Sequence, residues 1–167
     1  MKSRLLMACL FLAAFTLAFA TLITTLRVNG SGRAVDASGR YAYFTVDCKK
    51  VIHDGASTLQ GTFDLNMPLS TTDSIRVHLN TLQFMNIFEN HGSMAGPGVL
   101  RIQHGYDVRY FPGRLYVIGT SNRHPGEAGD PDTIFVDFRP DVNTNPTFHF
   151  EGVLTYGDVA VTTTLSY

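Results

Sequence analysis

"LQGTFDLNM", Leu59 to Met67, alternates apolar and polar side chains without a break. Leu59, Gly61, Phe63, Leu65 and Met67 fall on one face of an extended chain, and Gln60, Thr62, Asp64 and Asn66 fall on the other. That period of two marks a half-buried strand. "SIRVHLN" repeats it a few residues on, with Ile75, Val77 and Leu79 facing inward and Arg76 and His78 facing solvent. "YAYFTVDC" adds Ala42, Phe44, Val46 and Cys48 to the inward set. No stretch carries a convincing period of 3.6, so the chain reads as all-β.

Turn signals divide the rest. An early strand spans Leu22 to Val28, a hairpin is predicted at "DASG" from Asp36 to Gly39, and "LQFMNIF" and "VLRIQH" supply further apolar stretches. In "YFPGRLY", Pro112 and Gly113 have the chemistry of a type II turn, joining Val108–Phe111 to Leu115–Gly119. Gly157-Asp158 reads as a two-residue hairpin loop between strands Phe148–Tyr156 and Val159–Tyr167. "ENHGSMAGPG", Glu89 to Gly98, reads as an exposed loop. About nine or ten short strands result, and the expected architecture is an antiparallel β-sandwich, with a flattened β-barrel as the alternative. Strand order is not readable from alternation.

The first residues, "MKSRLLMACLFLAAFTLAFATL", set Lys2 and Arg4 before an apolar run that ends in a small-x-small site, Ala18-Phe19-Ala20. Residues 1–20 therefore read as a secretory signal peptide and 21–167 as a single domain, secreted or periplasmic, with no transmembrane segment after cleavage. A formal net charge of −1, made more negative by losing Lys2 and Arg4, offers nothing to a polyanion and excludes nucleic acid as a partner. Cys9 would leave with the signal. Cys48 then stands alone and reads as a buried, unreactive small hydrophobe.

Several pieces together resemble a known family. "VNGSGRA" gives Gly-x-Gly at Gly30 and Gly32, "YAYFTV" and "LQGTFDL" follow, and "NRHPGEAGDPDTIFV" ends in an Asp-Thr-aromatic strand start at Asp132, Thr133 and Phe135. In that order they resemble the small extracytoplasmic bacterial domain called the post-COAP domain. The resemblance implies an extracytoplasmic β-domain and no reaction. Where the family pattern opens with aspartate, this chain has Ser121, and Arg123 replaces a glycine.

Two candidate sites emerge. Glu127, Asp130 and Asp132 could supply oxygen ligands to Ca2+ from one glycine-containing loop. The preferred reading is a turn whose aspartates bond to nearby backbone amides, with no cofactor. On the "YDVRYFPGRLY" hairpin, Tyr106, Tyr110, Phe111 and Tyr116 could stack on a sugar or dock a partner, or could fill the core. The six histidines show no metal spacing, and no Gly-x-Ser-x-Gly elbow is present. The expected function is therefore a non-catalytic binding or structural role outside the cytoplasm, facing a cell-surface glycan or a protein. A carbohydrate-binding module is the first alternative and a hydrolase with a site assembled across strands the second.

Overall fold

The computed structural model describes residues 22–122 and 129–167. The signal-peptide reading and Glu127 lie outside them. Nine strands follow in order: β1 (Ile23–Asp36), β2 (Tyr41–His53), β3 (Ala56–Pro68), β4 (Ser74–Leu79), β5 (Phe84–Phe88), β6 (His91–His104), β7 (Asp107–Thr120), β8 (Thr133–Pro140) and β9 (Phe148–Ser166). All pair antiparallel in one sheet, ordered β4-β3-β2-β1-β9-β8-β7-β6-β5. A further β4–β6 pairing joins the ends of that order into a ring of hydrogen bonds. The all-β, antiparallel expectation holds.

The alternation sets what is inside. Phe63, Leu65 and Met67 of β3, Val77 and Leu79 of β4, and Ala42, Phe44, Val46 and Cys48 of β2 are all buried, as their period requires. Leu59 packs against this core from its edge. A single cluster takes residues from all nine strands, with Ile87 of β5 packed beside buried Met85. Burying such side chains contributes about 1.5–3 kcal/mol each before the entropy of ordering them is subtracted.

Two of the expected turns, and most of the expected loop, are strand instead. β7 runs unbroken through Pro112 and Gly113, and the reversal before it is made at Gly105 and Tyr106, with Gly105 at φ 57°. Proline is tolerated because its carbonyl accepts the Asp141 N–H, so its nitrogen faces the β8 side, where the β7–β8 ladder stops at Gly113 and Pro140. The missing donor therefore costs no bond to β6. β9 likewise continues through Gly157-Asp158. Thr155 is the extra residue of a bulge against Arg33 and Ala34, and its hydroxyl both accepts from Arg33 Nε (3.1 Å) and donates to the Arg33 carbonyl (3.2 Å).

The stretch from Glu89 to Gly98 is mostly β6, which carries β7 on one side and both β5 and β4 on the other. Its glycines mark close approach rather than freedom. A Cβ at Gly92 would run into Val28, and one at Gly96 into the Thr81 carbonyl of the segment crossing from β4 to β5. The Asp36–Gly39 hairpin is found where expected, with Gly39 N–H donating to the Asp36 carbonyl at 3.0 Å.

Candidate functional site

Outward positions on β2, β3, β4, β6 and β7 meet in one cross-strand row. Register places Tyr43 beside Asn66, Asn66 beside Arg76, Arg76 beside Arg101, and Arg101 beside Tyr110. At the usual strand spacing the row runs about 19 Å from ring to ring. Tyr43 is 50% exposed and Tyr110 64% exposed. The Tyr41 ring meets Tyr43 edge-on, with centroids 5.8 Å apart, and steadies it.

Two shallow hollows flank the arginines. One, of about 520 Å3, is walled by Tyr43, Thr45, Asp64, Asn66 and Ser74, and the other, of about 440 Å3, by His78, Val99 and Tyr110. Arg76 and Arg101 line both and form the ridge between them.

The two arginines differ in their partners. Asp64 Oδ1 accepts from Arg76 Nη2 (2.6 Å) and Nε (3.0 Å), and Asp64 Oδ2 lies 3.0 Å from His78 Nδ1. Arg76 is thus neutralised, and Asp64 fixes the His78 ring with the proton on Nδ1. Arg101 donates from Nη2 to Gln103 Oε1 (2.6 Å), a neutral acceptor, and is in no ion pair among the described residues. Gln103 in turn donates to the Gly105 carbonyl at 3.1 Å. The turn carrying Gly105 is held by the loop between β3 and β4, where Asp73 accepts the Gly105 N–H at 2.9 Å. That bond is the main cause holding the Asp73 carboxyl below its ordinary range. With Arg76 offset by Asp64, Arg101 is left as the guanidinium of the pair with no ion-pair partner among the described residues.

Among the loop carboxylates, Asp132 is a buried anchor at 3% exposure. It stands where β8 parts from β9, with Oδ1 accepting the Asn122 N–H (2.8 Å), Oδ2 the Val159 N–H (2.9 Å) and its carbonyl the Leu154 N–H (2.9 Å). Its side chain does bond to backbone amides, but to those of Asn122 and Val159 rather than to the nearby amides of its own turn. Asp130 is exposed, and no group of three His, Cys, Asp or Glu side chains converges among the described residues.

The four hairpin aromatics do not share one face. Tyr106 stands fully exposed at the turn tip, Phe111 packs against the core, and Tyr110 ends the row above. Tyr116 belongs to a separate outer patch, where its ring meets Phe135 at 6.2 Å and Phe135 meets His149 at 5.1 Å. Cys48 is buried, and desolvation, followed by the nearby Asp47 charge, pushes its thiol up to about 12, so it stays protonated.

The chain matches no family model, no curated protein and no solved structure. Geometry alone therefore carries the functional reading. The sequence placed Asn66, Arg76 and His78 outward, but Arg101 and Tyr43 escaped notice, and only the β4–β6 pairing makes Arg76 and Arg101 neighbours. The available signal was the outward phase of each strand, which locates a face without saying which faces adjoin.

Proposed function

We propose that this protein is a non-catalytic binding domain acting outside the cytoplasm, and that the row of Tyr43, Asn66, Arg76, Arg101 and Tyr110 is its ligand-facing surface. The observation that carries this is Arg101, half-buried beside Arg76 with only a neutral acceptor, in a row closed at each end by an exposed tyrosine. A fold gains little from a guanidinium held by one amide, whereas a ligand would gain from its free donors. The amino-terminal signal-like sequence and the motif order that resembles the post-COAP domain agree with an extracytoplasmic role.

The carbohydrate-binding alternative gains support from the same row, since exposed rings flanking amide and guanidinium donors suit hydroxylated ligands. The hydrolase alternative gains less. Asp64 is committed to Arg76 and His78, and no hydroxyl hydrogen-bonds to His78 among the described residues. The test is an oligosaccharide array probed with the wild-type protein and a Tyr43→Ala, Tyr110→Ala double variant. Binding that disappears in a variant with unchanged melting temperature supports the reading. Full retention of binding in the double variant would refute it.

A further inference from the structure

Resting on that reading, we infer that the ligand is an acidic saccharide, a chain of sugars bearing carboxylates, with one carboxylate seated on Arg101 at the ridge and a sugar ring in each adjoining hollow. The charge arrangement singles out Arg101. Arg76 already gives Nε and Nη2 to Asp64, while Arg101 has only the neutral Gln103 acceptor and keeps a net positive charge that a carboxylate would balance. A guanidinium presents a planar fork of donors suited to a carboxylate, and a half-buried one is less screened by salt than a fully exposed one.

The lining selects a sugar over a peptide. In the hollow beside Tyr43 the polar groups are Thr45, Asp64, Asn66 and Ser74, a mix of donors and acceptors that hydroxyl groups satisfy in either sense. Asn66, Arg76 and Arg101 also lie where β3, β4 and β6 are each paired on both sides, so the row exposes no strand edge onto which a peptide could add. The tyrosines at the two ends offer ring faces on which flat sugar faces can stack.

Calorimetric titration of the whole protein with a linear oligogalacturonate, a neutral oligoglucan and a sulfated oligoglucan tests this. Saturable binding of the uronate alone, weakened by salt, is expected. Arg101→Gln should weaken it about tenfold or more, from the loss of charge-assisted bonds. Arg101→Lys should restore only part of the affinity, since it keeps the charge without the fork. The melting temperature of each variant reports folding independently of binding. Equal binding of the neutral and acidic chains, or of the sulfated chain, or full affinity in Arg101→Gln, would overturn the acidic-saccharide assignment. If the neutral chain bound in a tyrosine-dependent way, the binding surface would stand while this inference failed. If no chain bound, the inference would fail, and the tyrosine test on the array would decide the surface separately.

Discussion

Asp132 has both carboxylate oxygens on main-chain amides at 3% exposure, whereas Arg101 is half-buried opposite a second arginine with only an amide side chain to hold it. Each is an ionised group partly withdrawn from water. The first is fully used by the fold, because the amides it accepts belong to Asn122, beyond the end of β7, and to Val159 of β9, past the end of the β8–β9 ladder. The second is surplus to it. The difference separates charges that hold this architecture from charges it merely tolerates, and a ligand is more profitably sought among the latter.

The sharpest way to break that contrast is to remove Asp132. Asp132→Ala should lower unfolding free energy by about 3 kcal/mol, since two charge-assisted bonds are lost and two amides are left without acceptors. Urea unfolding measures it, and a loss below about 1 kcal/mol would mean the anchor is ordinary. Arg101→Gln should change the unfolding free energy by less than about 0.5 kcal/mol, since no ion pair of the fold is lost with it. A marked loss in the same urea assay would place Arg101 among the groups the fold depends on.

Asp36 is the intermediate case, with both backbone and side-chain donors. The Ser38 hydroxyl foremost, then Arg40, draw its carboxyl from 3.8 down to about 2. A depressed folded pKa stabilises the native state above the unfolded value, so this contribution is complete above about pH 4 and disappears as pH falls through about 2. Asp36→Asn should flatten that acid limb in a plot of melting temperature against pH, and an unchanged limb would remove Asp36 from the account. The smallest expected effect is that of calcium. With both Asp132 oxygens engaged by amides, millimolar calcium or a chelator should leave the melting temperature where it was, and a chelator-sensitive shift would return the loop to the list of binding sites.

Much of the fold was legible because burial here follows a period of two. Phe63, Leu65, Met67, Val77 and Leu79 face the core as alternation alone demands. The misread segments share one cause. Pro112-Gly113, Gly157-Asp158 and the glycines of β6 carry local turn chemistry, but their meaning depends on where a neighbouring strand ends or crosses, which no dipeptide encodes. The candidate surface was hidden for the same reason. Arg76 and Arg101 are partners only once β6 has passed by β5 to reach β4. Asp132 was flagged together with Glu127 and Asp130 from the composition of its loop, but its partners Asn122 and Val159, 10 and 27 residues away, were not foreseeable.

The pairing of the first strand with the last also has a kinetic meaning. Ile23 lies opposite Ser166, and β1 stays paired with β9, across the bulge at Thr155, as far as Asp36 and Gly152, so nearly the whole chain must be present before this ladder can form. Folding dominated by such distant pairings belongs to the millisecond-to-second regime rather than the microsecond one. The same adjacency would let a short linker join Leu22 to Tyr167 and new ends be opened at the Gly105-Tyr106 turn. Such a circular permutant turns the slowest ladder into a hairpin, and it should refold faster than the parent in stopped-flow measurements while its native contacts stay the same.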